Sequence, residues 1–393
     1  MTLPATVAVD VGGTKIRAGS VIDGELAHVR SVPTPATAGA RAVLDTIAEV
    51  AAAVIAETSG SRGAGSGGAE FSSSGSEAGP DGAGNGSAEN ADLGESGSDS
   101  ESGWRIGIGA AGVIDPVTGT VVSATDSLPG WAGTDLVSEI SARTGLPVRA
   151  VNDVHAHALG EAAVGASRGA RSSLLVAAGT GIGGGFITDG HLLTGRNSAA
   201  GHIGHVPSAA AVGLDCPCGG TGHVEAIASG PAILNTYRRL ACGSAESNTE
   251  PAEPAAQGQS HNSASATAFR APTSTPNSRS DRDGAAPVPT NTRELAAAAS
   301  AGDERALRAF DIGARALGSA LGGIVNVLSP ELVVIGGGLA EMDEAWWAPL
   351  REAFTAELIP AASGTPLVKA ELGQDAALIG AAGLWDDAPG QKH

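Results

Sequence analysis

Cysteine is almost missing: the 393-residue chain holds three, Cys216, Cys218 and Cys242. So few cannot form a disulfide framework, and a reducing compartment is expected. Aromatic residues make up only 3 %, while glycine occurs 58 times, so glycine-rich loops are expected to matter. Basic residues are scarce as well: 23 Lys and Arg against 42 Asp and Glu give a formal charge of −19. A chain this acidic has no general affinity for nucleic acid or for an anionic membrane. It also repels a nucleotide, so a nucleotide site must be made locally from backbone N–H groups and a divalent cation. No apolar run is long enough to span a bilayer. Residues 1–10 lack the basic start and apolar stretch of a signal peptide. These absences predict a soluble, cytoplasmic protein.

What is present is an ordinary 42 % of hydrophobic residues, in a chain long enough for two cores. Two segments have almost nothing to bury. Residues 60–103 are Gly, Ser, Ala and acid, with eight acids facing one Arg62. Residues 243–292 are rich in Ser, Thr, Pro, Ala and Asn. Too little apolar burial offsets their chain entropy, so both are expected to be disordered insertions at surface turns. Roughly 300 residues remain, about right for two domains. They alternate strand and helix. Thr6–Val11 and Lys15–Ile22 read as strands about a Gly-Gly turn, and Val43, Leu44, Ile47, Val50 and Val54 mark a helix over 38–57. Further strands are expected at 105–108, 120–123, 148–152, 172–177, 184–188 and 332–335, and helices at 136–144, 153–164 and 292–328. That order predicts an α/β protein.

Gly107-Ile-Gly109-Ala-Ala-Gly112 and Gly179-Thr180-Gly181-Ile-Gly-Gly184 both fit G-x-G-x-x-G. A dinucleotide fingerprint needs a helix after the loop. Neither match has one, so NAD is rejected, and no G-x-x-x-x-G-K-[ST] phosphate loop occurs either. What remains is a strand, a glycine turn and a second strand, twice: Asp10-Val-Gly12-Gly13-Thr14 and the loop at 178–185. Consecutive N–H groups in such turns cradle phosphate oxygens. Thr14 and Thr180 can add hydroxyl donors, and Asp10 can hold Mg²⁺ through water. The plainer alternative is a pair of tight hairpins that need positive φ. Two similar loops far apart in sequence favour two lobes holding one polyphosphate.

Asn152-Asp153 ends a strand and begins a helix. Asp153 reads either as an N-cap or as a general base that takes the proton of an attacking hydroxyl. Asn152 can hydrogen-bond the hydroxyls of that substrate. His155 and His157, on the same helix, read as ordinary helical residues. Downstream, Gly201-His202-Ile-Gly-His205 precedes Cys216-Pro-Cys218-Gly-Gly-Thr-Gly-His223-Val-Glu225. His205, Cys216, Cys218 and His223 supply four ligands for closed tetrahedral Zn²⁺, which makes the metal structural. A Cys216–Cys218 disulfide would be strained.

The Asp10-Val-Gly-Gly-Thr-Lys15 turn, the loop at 179–185 and Ile335-Gly336-Gly337-Gly338 resemble the phosphate and adenosine loops of actin-like sugar kinases. The histidine–cysteine segment narrows this to the ROK family (repressors, open reading frames and kinases), whose pattern is G-x-x-G-E-x-G-H followed by C-x-C-G-x-x-G-C-x-E. The likeness covers nearly all the chain outside the two insertions. Two positions depart from the pattern: His223 replaces its last cysteine, and His202 replaces its sugar-contacting Glu. Histidine at the latter position resembles the N-acetylmannosamine kinases of the family. Ser127 to Trp131 stands where the family has N-L-P-G-W.

The resemblance implies two ribonuclease-H-like lobes with an interlobe cleft. Residues 1–152 plus 376–393 would form one lobe and residues 153–375 the other. It implies Asp153 as catalytic base. Asn152, His202, His205 and Glu225 would contact the sugar, joined by Gly112 and Thr125 from the first lobe. Asp10, Gly12, Gly13, Thr14, Lys15, Gly179, Thr180, Gly181, Gly336, Gly337 and Gly338 would line the ATP site. The expected reaction is ATP- and Mg²⁺-dependent phosphorylation of a sugar 6-hydroxyl, with N-acetylmannosamine first and glucose second, in a homodimer. A sugar-responsive repressor is the reading from another class. Such repressors place a helix-turn-helix before the first glycine turn, which here begins at Asp10, and the acidic charge opposes DNA binding.

Overall fold

The computed structural model describes residues 5–64, 103–125, 128–246 and 288–386. Most of the two expected insertions, 65–102 and 247–287, and Ser127 lie outside these residues. The first half contains β1 (Ala5–Val11), β2 (Lys15–Ile22), β3 (Glu25–Pro33), α1 (Ala40–Ala64), β4 (Trp104–Ala110), β5 (Val113–Ile114), β6 (Val121–Ser123), α2 (Leu136–Thr144) and β7 (Val148–Asn152). The second half begins with α3 (Asp153–Val164), β8 (Ser172–Ala178), β9 (Ile182–Thr188), β10 (His191–Leu192), α4 (Glu225–Ala228) and α5 (Gly230–Glu246). It ends with α6 (Thr292–Ser300), α7 (Glu304–Leu328), β11 (Leu332–Gly336), α8 (Glu344–Glu357), β12 (Leu367–Lys369) and α9 (Asp375–Ala382).

Two five-stranded sheets share one topology. The first runs β3-β2-β1-β4-β7 and the second β10-β9-β8-β11-β12. In each, three antiparallel strands are extended by two parallel ones. The strand β3 is absent from the sequence reading because six of its nine residues are exposed and none is buried, which erases the alternation of buried and exposed positions. The helix expected over 292–328 is two helices. Asp303 accepts the N–H groups of Arg305 and Ala306 at 2.9 and 3.3 Å and starts α7 afresh.

Strand β1 is buried along nearly its whole length, as a strand covered on both faces must be. Val7, Val9 and Val11 pack with Ile47 and Val54 of α1. Ala8 faces the other way, against Ala377, Leu378 and Ala381 of α9. This second face is paved with small residues. A Cβ on Gly109 would come within 2.9 Å of the Ala156 methyl of α3, and one on Gly107 would run into the Ala381 carbonyl of α9. The G-x-G of β4 is therefore a surface for helix approach. The second sheet does the same: a Cβ on Gly185 would lie 2.6 Å from that of Ala158, and one on Gly183 would lie 3.0 Å from Val154. Helix α3 thus presents Ala156 to one core and Ala158 to the other. The larger core of the second sheet, with Leu174, Val176, Phe310, Leu317 and Trp346, lies on the opposite face.

These contacts separate glycines required for packing from those that are not. Gly185→Val is expected to destabilise the fold by about 1–3 kcal/mol through overpacking. Gly323 in α7 has nothing within 4 Å of a built Cβ, and Gly323→Ala should stabilise by about 0.5–1 kcal/mol. Urea unfolding of the two variants measures both.

Candidate active site

The chain turns from β7 into α3 at Asn152, which is buried. Its Oδ1 accepts from the N–H groups of Val154 and His155 at 3.0 and 3.2 Å. Its Nδ2 donates to the Gly112 carbonyl and to Asp153 Oδ1, each at 2.8 Å. The cap is therefore Asn152, and the alternative reading of Asp153 as N-cap is corrected. Both donors and both lone pairs of the amide are engaged, so Asn152 holds the site together while Asp153 stands at the first helical position. Burial raises the Asp153 carboxyl above its ordinary value. The Val154 N–H, at 2.9 Å, and the Asn152 amide hold it back.

Asp10 ends β1, paired across the ladder with Arg17 of β2. Its carboxyl is pushed up to about 6, first by burial and then by the negative charge of Asp153; Arg17 and Lys15 oppose this. Both carboxylates line a cleft of about 410 Å³ together with Lys15, His157, Gly336, Gly337, Gly338 and Lys369. The turn from Gly12 to Lys15 is closed by Gly12 N–H donating to the Lys15 carbonyl at 3.0 Å. Thr34 pins it through its hydroxyl to the Gly12 carbonyl at 2.7 Å and through its N–H to the Thr14 carbonyl at 3.0 Å. None of Gly12, Gly13, Gly179 or Gly181 has positive φ, so the reading that these turns need left-handed backbone is corrected. Gly337 does need it, at φ 83, and a Cβ there would also strike the Ala178 carbonyl. Gly179 and Thr180 sit across from that turn, a Cβ on Gly179 falling 3.6 Å from the Gly338 nitrogen.

His157 belongs to the cleft although sequence reasoning assigned it no role. Its Nε2 is buried without a hydrogen-bond partner, and its ring lies against Gly336, whose missing side chain leaves it room. Burial lowers its pKa and keeps it neutral. The legible signal was its spacing: four residues past Asp153 on a helix is the same face.

Around the other side of α3, four imidazoles stand in a row. His155 lies edge-on to His202 with ring centroids 6.4 Å apart, His202 stacks on His205 at 6.3 Å, and His205 is 5.5 Å from His223. His155 Nε2 donates to the Ala200 carbonyl at 2.8 Å, and His202 Nδ1 donates to the Ala199 carbonyl at 3.0 Å. His202 is close enough to Asp153 to interact with it electrostatically, and it also lines a groove of about 670 Å³ against α7. At the far end, one ligand atom from each of His205, Cys216, Cys218 and His223 falls within 4.8 Å of the others. Cys216 Sγ is 3.7 Å from His205 Nδ1, and Cys218 Sγ is 3.2 Å from His223 Nδ1. These spacings fit one tetrahedral ion. Burial lowers the pKa of His205, which suits a neutral ligand, and raises the Cys216 thiol to about 11, a shift that a bound cation reverses.

Glu225 is buried beside this group. Its Oε2 accepts the Ile182 N–H at 2.7 Å, beneath the turn that carries Gly181, and its Oε1 lies 4.0 Å from Cys216 Sγ. Thr125 lies apart, in the exposed loop after β6.

Two sheets of one topology, a pair of carboxylates between them and the Gly336–Gly338 turn on the cleft wall form the frame of an actin-like phosphotransferase, and the chain is an ATP-dependent sugar kinase. It belongs to the ROK family, whose model matches residues 95–388. The chain is 33% identical over 291 residues to a glucokinase of Thermotoga maritima, covering 73% of this chain and 80% of that one. It is 29% identical over 392 residues to an N-acetylmannosamine kinase of Escherichia coli, covering 98% and 99%. Among solved structures, a ROK family glucokinase from Streptomyces griseus in complex with glucose and AMPPNP superposes with a TM-score of 0.65 at 27% identity, covering 97% and 98%.

The carboxylate pair predicts a titration. A raised pKa means that the charged form of Asp10 is present above about pH 6 and is lost as pH falls through that value. Carbon-detected NMR of the ligand-free protein should show this transition. Asp153→Asn should move it downward, because Asp153 is one of the charges that raises it.

Proposed function

We propose that the enzyme transfers the terminal phosphoryl group of ATP to the 6-hydroxyl of an N-acylhexosamine, N-acetylmannosamine first among them. Asp153 accepts the hydroxyl proton as the oxygen attacks; its raised pKa brings a carboxylate closer to the basicity this step needs. Asn152 fixes the direction of that carboxylate. Asp10, through water, would hold Mg²⁺ on the phosphates; the ion neutralises charge that develops during transfer. Lys15 and the turns carrying Gly12, Gly13, Thr14, Gly179, Thr180, Gly181, Gly336, Gly337 and Gly338 would receive the nucleotide. His205, Cys216, Cys218 and His223 would hold a structural Zn²⁺, and Glu225, Gly112 and Thr125 would complete the sugar side. The scarcity of cysteine supports a cytoplasmic setting, and the acidic charge supports one without nucleic-acid partners. No helix among the described residues is long and apolar enough to cross a membrane. The family resemblance supports a homodimer.

His202 carries the choice of sugar. A carbonyl can only accept, so the bond from Nδ1 to Ala199 puts the proton on Nδ1 and leaves Nε2 of the neutral ring as an acceptor. An acyl amide offers an N–H donor to such an atom; where a carboxylate would present two acceptor oxygens to hydroxyls, this ring presents one, at a place set by the imidazoles of His155 and His205 on either side. Glucose is the second reading, favoured by the glucokinase relative at 33% identity.

ADP release with ATP and Mg²⁺ over N-acetylmannosamine, N-acetylglucosamine, glucose and mannose tests the proposal. Preference for N-acetylmannosamine is expected, with Asp153→Asn at background; preference for glucose would overturn the His202 argument and leave the kinase. Metal analysis of the purified protein should find about one zinc per chain; a folded, active, metal-free protein would refute the four-ligand site.

A further inference from the structure

Glu161 is a charged residue for which the reaction above has no use. It sits near the C-terminus of α3, fully buried, where the helix dipole disfavours a negative charge. The last turn of α3 contains no basic residue, and its neighbour His157 is held neutral by burial. A buried carboxylate in such a place is costly unless hydrogen bonds compensate. Here they come from the backbone. Oε2 accepts from Ala166 N–H at 2.8 Å and from Glu371 N–H at 3.2 Å, and Oε1 accepts from Leu372 N–H at 2.8 Å. Two of these donors are more than two hundred residues away in sequence.

The segment so held, residues 371–375, runs between β12 of the second sheet and α9 on the first. Its next residues reach the other wall of the cleft. Gln374 Oε1 accepts from Lys15 Nζ at 2.6 Å. The Gln374 carbonyl accepts from Arg17, which also pairs with Asp375 at 2.6 Å. Arg17 in turn is the cross-strand partner of Asp10. Asp153, His157 and Glu161 are spaced by four on α3 and share one face, so one stripe of the helix carries the carboxylate, the cleft wall and the anchor of this strap.

We infer that Glu161 is a positioning residue for the phosphoryl donor. By fixing the 371–375 strap to α3, it sets where Gln374 and Asp375 hold Lys15 and Arg17, and so where the cations of β2 stand relative to Asp153. Glu161 touches neither substrate. It acts through backbone N–H groups and the strap, and the inference rests on the reading of the cleft as the ATP site.

The test is steady-state kinetics on the full chain, with ATP and sugar varied separately, for Glu161→Gln, Gln374→Ala and the double variant, beside melting temperatures. An amide in place of the carboxylate turns an N–H₂ toward backbone donors and loosens the strap. Glu161→Gln should raise the KM for ATP about tenfold while the KM for sugar stays within about twofold. Gln374→Ala should raise the ATP KM less, and the double variant should be no worse than Glu161→Gln alone, because both act through one strap. A lowered melting temperature with an unchanged ATP KM, equal losses for both substrates, or additive effects would overturn the inference. Should Glu161→Gln fail to fold, Glu161→Asp retains the charge and withdraws it by one methylene; the same selective rise in ATP KM is expected, and its absence counts against Glu161. A wild-type chain without ATP-dependent turnover would instead overturn the reading of the cleft, which separates the two failures.

Discussion

Helix α3 is shared by two hydrophobic cores, and its distance from each is set by side chains that are not there. Ala156 meets Gly109 on one side, and Ala158 and Val154 meet Gly185 and Gly183 on the other. Because protein interiors are close-packed, a helix seated this tightly against two sheets has little freedom to tilt or slide. The first residue of that helix is Asp153. The position of the proposed base is therefore fixed by methyl groups and glycines within the first two turns of the helix, and by the Asn152 amide at its start.

Four acidic side chains lie in or beside this junction, and each is accommodated differently. Asp153 takes a helix N–H and the Asn152 amide. Asp10 has Arg17 and Lys15 in range, yet burial and Asp153 still dominate its pKa. Glu161 and Glu225 rely on backbone N–H groups, three for the first and one for the second. Asp10 and Asp153, both on the cleft, have their pKa raised by burial. The two bound to backbone tie distant segments together, Glu161 the strap before α9 and Glu225 the glycine turn after β8. In a chain with a formal charge of −19, the few cations near the cleft are held by specific partners: Lys15 by Gln374, Arg17 by Asp375, and Lys369 by Glu341 at 2.8 Å.

Much of this was readable from residues alone. The strand–turn–strand units, the helix at 136–144 and the β7–α3 junction emerged from periodicity and caps, because each is a short local pattern with polar punctuation. The four candidate metal ligands were legible because three of them lie within eight residues and carry a ligand-specific chemistry. The glycines of β4 were legible only as a loop motif; their actual role, making room for α9 and α3, depends on contacts with residues far beyond any local window. The same is true of Glu161, whose partners at 371 and 372 are invisible to any local window, and of His157, which looked like any helical residue until the cleft enclosed it. β3, β5, β10, α4, α5, α8, β12 and α9 were not read: exposure along β3, the short lengths of β5, β10, α4 and β12, the Gly230-Pro231 start of α5, Pro349 inside α8 and the nearly all-apolar sequence of α9 hide their periods.

Helix α9 covers one face of the first sheet. Ala8 of β1 and the glycine face of β4 are complete only when Ala377, Leu378 and Ala381 arrive. During synthesis from the N-terminus, the first sheet must emerge, and wait while the entire second sheet is made, with Ala8 and the glycine face of β4 uncovered. The half of the molecule translated first is thus covered on this face only by a helix translated after the whole second sheet.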